Sequence, residues 1–151
     1  MRLRDLKLTN YRNCKNLELD LGSKKVLIIG KNAQGKTNIL ESIYFLSTLK
    51  SPRTSNNIEL INFVAERAEI NCNMVKAETD VELDYSYSLE KKRELAINKV
   101  KTTPKNFKSV LKTVLFSTAD LLLLRGNPSD RRDWLDRAIS QVYPAYDDRL
   151  S

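Results

Sequence analysis

In RLRDLKLTNYRN, Leu3, Leu6 and Leu8 stand among charges, and in NLELDL the positions Leu17, Leu19 and Leu21 alternate with polar ones. A period of two predicts two half-exposed strands. Gly22 supplies a turn after them, and KVLII, with Val26 to Ile29, predicts a short strand buried on both faces. The period then changes: Ile39, Leu40, Ile43, Tyr44 and Leu46 recur at one-face helical spacing until Lys50, Ser51 and Pro52 stop the pattern. Strand periodicity returns in AEINCNMV and in DVELDYSYSL, where Val81, Leu83, Tyr85 and Tyr87 alternate, and after a polar EKKR turn Leu95 and Ile97 complete an antiparallel hairpin. A lysine-rich connector, NKVKTTPKNFK, leads to TVLF, expected as a buried strand, and to the apolar run Leu121 to Leu124. Asn127 as cap, Pro128 at the first helical position and Asp130 in the first turn predict a last helix. Its core face is expected from Trp134, Leu135, Ala138, Ile139 and Val142, with Arg131, Arg132 and Arg137 along another.

Between KVLII and the first helix the chain reads GKNAQGKTN, which satisfies G-x-x-x-x-G-K-[ST] with Gly30, Gly35, Lys36 and Thr37. Each residue type has a mechanical reason. Small glycines let the backbone curl so that successive N–H groups face a β-phosphate, the lysine ammonium reaches the β- and γ-phosphates, and the threonine hydroxyl is a Mg²⁺ ligand. The helix that follows adds its unsatisfied N–H groups and the positive end of its dipole. A strand directly before and a helix directly after are the context the motif requires, so the chain reads as an α/β P-loop fold. The loop alone does not separate a kinase from an ATPase or a GTPase. A simple nucleotide kinase usually begins with the P-loop strand, whereas here about 25 residues of paired strand precede it.

Composition narrows the partners. The 151 residues are 41% hydrophobic, enough for the core of one domain. Lysine and arginine number 26 against 19 acidic residues, and the resulting charge of +7 favours anionic partners, nucleic acid first. The absence of histidine removes Ser-His and Cys-His nucleophile pairs and most zinc chemistry. Cys14 and Cys72 lie far apart, without metal-ligand spacing, and fit packing roles in a reducing compartment. With no leader pattern and no apolar segment near the roughly 20 residues a bilayer needs, a cytoplasmic protein without a membrane partner is expected.

LKLTNYRN, NAQGKTN with ILESIYFL, SPRT, and VLFSTADLLLLRGNPSDRRDWLDRAISQ together resemble the RecF family of bacterial gap-repair ATPases, relatives of the chromosome-maintenance and break-repair heads of ABC type. The resemblance runs over nearly the whole chain. It implies an ABC-type ATPase head with an antiparallel β lobe, and an ATP-dependent homodimer that binds duplex DNA or single-strand/double-strand junctions. It also implies work with RecR and RecO in loading RecA onto single-strand gaps, in recombinational repair and the SOS response. Carried over by motif, Gly30, Lys31, Asn32, Ala33, Gln34, Gly35, Lys36, Thr37 and Asn38 bind ATP, Thr37 holds Mg²⁺, and Arg12 and Asn13 approach the nucleotide from the first hairpin.

The sequence departs from that family at several parts of the hydrolytic apparatus. A Walker B segment ends in an acid, but Leu121 to Leu124 is followed by Arg125. No Ser-Gly pair of a signature segment occurs, no switch histidine exists, and Ser117 stands where the loop glutamine is usual. An N-terminal fragment is therefore expected, truncated before Walker B and signature motifs. Residues 1–116 would form the core subdomain with the P-loop and hairpins, and 117–151 the start of a helical subdomain. Such a fragment would bind ATP without hydrolysing it, in a family of slow DNA-stimulated ATPases. Two other readings stand beside this one, a RecR-docking lobe with incidental ATP binding and a small-molecule P-loop kinase. The lysines from Lys91 to Lys112 read either as a solvated face or as phosphate contacts, with Lys99, Lys101 and Lys105 the DNA-binding candidates. Phe107 alone offers no stacking platform among them.

Overall fold

The computed structural model describes residues 1–118, 120, 127–143 and 146, without the side chain of Arg137. Six strands form one antiparallel sheet in the order β2-β1-β3-β4-β5-β6: β1 (Arg2–Tyr11), β2 (Cys14–Asp20), β3 (Arg67–Lys76), β4 (Thr79–Ser88), β5 (Lys92–Ile97) and β6 (Val100–Lys101). Helix α1 (Lys36–Thr48) and a 3-10 turn (Asn57–Leu60) fall between β2 and β3, and helices α2 (Pro104–Lys108) and α3 (Pro128–Val142) follow the sheet.

Register explains why one face of the sheet is core. Leu8 opposes Leu17 and Ile70, Leu6 opposes Leu19 and Cys72, Ile70 opposes Tyr85, and Tyr85 opposes Leu95, so the alternating apolar positions of successive strands stack side by side. Leu6, Leu8, Ile70, Cys72, Met74 and Leu83 are fully buried, together with Phe45 and Leu46 of α1 and Phe107 of α2. Phe45 meets Tyr85 edge to face with ring centroids 4.7 Å apart. Opposite positions carry polar pairs: Asn71 donates to Asp84 at 2.6 Å and Asn73 to Asp5 at 3.0 Å. The strand pair ahead of the loop and the 79–97 hairpin thus form as their alternation predicts.

Three expectations fail, for a shared reason. KVLII and TVLF are not in the sheet, and Leu27 and Ile29 are each 82% exposed, Val114 95%. An apolar run becomes a buried strand only with neighbours on both edges, and none pairs with these among the described residues. Likewise α3 forms with Asn127 N–H bonded to Asp130, but Trp134, Leu135 and Val142 are exposed among the described residues. On α1 the burial is shifted from the expected stripe: Leu40 is exposed while Phe45 is fully buried. The run Leu121 to Leu124 and Arg125 lie outside the described residues. Among those described, no helix is long and apolar enough to cross a membrane.

Burial makes a prediction for the cysteines. Desolvation, with the charge of Asp5, pushes the Cys72 thiol up to about 12, and burial also raises Cys14, which is only partly covered. The native state keeps the Cys72 proton well above about pH 8.5, where an unfolded chain loses it, so this contribution to stability is complete below that pH and shrinks as pH rises toward 12. At pH 8 iodoacetamide should label Cys14 first, and Cys72 only as fast as the protein opens, which peptide mass mapping over time would show.

Candidate nucleotide-binding site

The loop reaches α1 through Gly35, which caps the helix with φ 89° and accepts from the Asn38 and Ile39 N–H groups at 2.9 and 3.2 Å. The Lys36 and Thr37 amides, in the first turn, have no intrahelical acceptor and face the loop side. Lys31 to Gln34 and Thr37 are exposed. Lys36 folds back, its Nζ donating to the carbonyls of Gly30 and Lys31 at 2.7 and 2.6 Å, so the ammonium closes the loop upon itself. Phosphate oxygens would be stronger acceptors for the same donors.

Gly35 is required twice over. Its positive φ favours glycine, and a Cβ there would come 3.1 Å from both Asn13 Oδ1 and Cys14 Sγ. At Gly30 no such constraint exists, the nearest atom to a built Cβ being Lys36 Cδ at 3.9 Å.

The β1–β2 turn is the surface against which the loop is held. Tyr11 pairs with Cys14 across it, leaving Arg12 at φ 55° and Asn13 at the tip. A non-glycine residue in that region is strained and persists only when surroundings fix it. Here they do: the Arg12 N–H donates to Leu60 O at 2.8 Å, Asn62 Nδ2 donates to Arg12 O at 2.7 Å, and the guanidinium grips buried Glu41 with two bonds of 2.6 and 3.1 Å. Asn13 Nδ2 then donates to the carbonyl of Ala33, in the loop, at 2.9 Å.

Glu41 binds more than Arg12. Ser51 Oγ donates to it at 2.6 Å and Arg53 Nη1 lies 3.3 Å away, while the same Arg53 nitrogen donates to Asn38 Oδ1 at 2.7 Å. Burial opposes the charge on Arg12, but the hydrogen bond and charge of Glu41 outweigh it and hold the guanidinium above its ordinary value. Burial, then the Glu41 charge, raises Tyr11, whose hydroxyl is enclosed without a hydrogen-bond partner among the described residues. Tyr11 stays neutral beside the ion pairs.

The loop residues Gly30 to Asn38 and Asn13 therefore come together as one site, whereas the Arg12 side chain turns under the turn toward Glu41. Register places Lys99 and Lys101 elsewhere: Ser88 pairs with Lys92 and Arg67, at the loop end of the sheet, while the Asn98–Lys99 turn lies at the opposite end, about 20 Å along β5. Lys91 and Lys99, close in sequence, are thus at two ends of one hairpin. Lys99 Nζ is 3.9 Å from Glu82 and Lys101 Nζ 3.8 Å from Glu94. Sequence reading assigned no role to Glu41 or Arg53. The available signal was Glu41 at three residues from Asn38 on one helix face, followed by the polar SPRT segment.

Gly35→Ala should cost about 1–2 kcal/mol from the left-handed backbone alone, and its methyl must also press Asn13 Oδ1 and Cys14 Sγ back from 3.1 Å. A chemical melt and a nucleotide titration should both report the loss. In contrast, Gly30→Ala should leave the melt nearly unchanged.

A family model described as an AAA ATPase domain matches residues 1–124. The DNA replication and repair protein RecF of Natranaerobius thermophilus is 39% identical over 150 residues, covering 97% of this chain and 39% of that protein. The corresponding protein of Bacillus subtilis is 38% identical over 146 residues, 97% of this chain and 40% of that one. The chain spans about two fifths of the length of these relatives. A solved structure of the recombination mediator protein RecF with ATP superposes with a TM-score of 0.90 at 30% identity, over 99% of this chain and 40% of that one. An SMC head domain from Thermotoga maritima shares the fold, with a TM-score of 0.59 at 18% identity over 70% of this chain and 40% of that one. The chain belongs to the AAA ATPase domain family and, within it, is a homologue of the RecF DNA replication and repair proteins.

Proposed function

We propose that the chain is the ATP-binding lobe of a RecF-type protein, in which nucleotide controls dimerisation and association with DNA during recombinational repair of single-strand gaps. The observation that carries this reading is the complete loop docked on the β1–β2 turn through Asn13 and Ala33, leading into α1, with the Lys36 ammonium folded over the loop. Its support from relatives is the 0.90 superposition on a RecF bound to ATP. In this reading Gly30 to Asn38 surround the triphosphate, Thr37 Oγ1 holds Mg²⁺, and Asn13 holds the loop at the Ala33 carbonyl. Thr37 is exposed in the first turn, where its hydroxyl fits that role. Residues 1–116 act as the core subdomain and 117–151 begin a helical one. RecR and RecO are the partners and RecA loading the outcome, in the SOS response to damage. A cytoplasmic location follows from that role.

Binding and hydrolysis separate. Hydrolysis needs an acid that orients water near the γ-phosphate, and Glu41, the carboxylate beneath the loop, is already engaged by Arg12, Arg53 and Ser51. Each 1.4 kcal/mol of missing transition-state stabilisation costs about tenfold in rate. The chain should bind MgATP by calorimetry, lose that binding in Lys36→Ala with little change in its melt, and release phosphate no faster than that variant. Turnover linear in the concentration of the chain would contradict this reading and favour a stand-alone NTPase.

For DNA, the proposal assigns Lys99, Lys101 and Lys105 to the phosphate backbone, without sequence preference. Lys99 and Lys101 are 81% and 87% exposed and only loosely paired, so either can turn to phosphate at small cost. Replacing all three by alanine should reduce the log-log salt slope of duplex binding by up to about three units. An unchanged slope would assign these residues to a solvated face.

A further inference from the structure

The bonds around Glu41 have a fixed direction. A carboxylate only accepts and a guanidinium only donates. Arg53 Nη1, anchored near Glu41 Oε2 at 3.3 Å, must therefore meet the oxygen of the Asn38 amide, at 2.7 Å. With its oxygen so committed, Asn38 can offer only its NH₂ to Asn13, whose Oδ1 accepts at 2.7 Å. The Asn13 amide is thereby oriented too, its NH₂ left to donate to Ala33 O at 2.9 Å. An asparagine amide has no intrinsic preference between its two ends, so the polarity at the loop is inherited from the ion pair.

We infer that Arg53 and Glu41 are positioning residues for the nucleotide loop, acting through a directional relay Glu41–Arg53–Asn38–Asn13 that fixes the carbonyl of Ala33. Ala33 has φ 64°, a conformation that needs external support outside glycine, and Asn13 holds its carbonyl on the side of the β1–β2 turn. Releasing that carbonyl would free the Ala33–Gln34 peptide to rotate, and the Gln34 amide with it. Glu41 also braces the second arm through Arg12, whose main chain carries Asn13 directly. The two arms meet at one side chain. The inference rests on the reading of this loop as a nucleotide site for its consequence, but not for its structural content.

The test uses Arg53, which is 47% exposed at its side chain, so that substitution leaves the core intact. Arg53→Met removes the donor and keeps the stem, Arg53→Lys keeps a donor-only cation, and each is made in the parent and in Asn13→Ala. Amide hydrogen exchange of residues 31–35 in the nucleotide-free protein is the first readout, and MgATP affinity the second. Arg53→Met should speed loop exchange and weaken MgATP binding about tenfold in the parent, yet change neither by more than twofold in Asn13→Ala. Arg53→Lys should recover most of both. If exchange responds and no variant nor the parent binds MgATP, the relay stands and the nucleotide reading fails. Equal effects of Arg53→Met with and without Asn13 would overturn the relay and place Arg53 directly on the ligand, and unchanged exchange in the parent would overturn it as well. Glu41→Gln, paired with a thermal melt to separate lost folding, should reproduce the Arg53→Met exchange change, because a glutamine amide can donate where only an acceptor fits.

Discussion

A carboxylate carried into a protein interior loses its hydration and needs charge partners and hydrogen-bond donors in exchange, and Glu41 is 1% exposed at its side chain. Everything at the loop is arranged around that requirement. Arg12 covers it from the β1–β2 turn, Arg53 and Ser51 cover it from the segment after α1, and the residues that do so are thereby fixed in space. Breaking such a pair by removing one partner typically costs about 3–5 kcal/mol, because the other charge is left buried. The gain from keeping it lies in position more than in stability: the ion cluster joins the sheet, α1 and the 51–60 segment at one point.

The sheet gives that point its rigidity. β1 lies between β2 and β3 and carries Leu6 and Leu8 into the core, so the turn that ends it emerges from a strand paired on both edges. Phe45 and Leu46 press α1 onto the same face. The loop is thus supported from two directions, with Gly35 packed so closely on Asn13 and Cys14 that a Cβ there would sit 3.1 Å from each. Among the described residues, the apolar segments at Val26 to Ile29 and at Val114 to Phe116 pair with no strand, and Leu27, Ile29 and Val114 are exposed.

Local signals in the sequence were legible where local physics decides. Alternation in NLELDL and DVELDYSYSL fixed both hairpins, because half-buried antiparallel strands read one face at a time. The loop was legible because glycine, lysine and threonine each have a single mechanical purpose in it. KVLII and TVLF misled, since a period-free apolar run states only that burial is favourable and not what will bury it. Glu41 and Arg53 were hidden for another reason: their meaning lies in partners 29 and 12 residues away, and only the fold brings Arg12 and Arg53 to one carboxylate. Lys91 and Lys99 made the converse case, neighbours in sequence that the hairpin separates.

The central claim is that the β1–β2 turn and the loop form one pre-built phosphate cradle. Its most direct test is the set of backbone amide chemical shifts of isotopically labelled protein titrated with MgATP. The account predicts that the largest shifts fall on Gly30 to Thr37, that Asn13 responds through its side-chain amide, and that the amides of β3 to β6 barely move. Shifts concentrated on the 79–101 hairpin, or saturating shifts that leave Gly35, Lys36 and Asn13 in place, would contradict it.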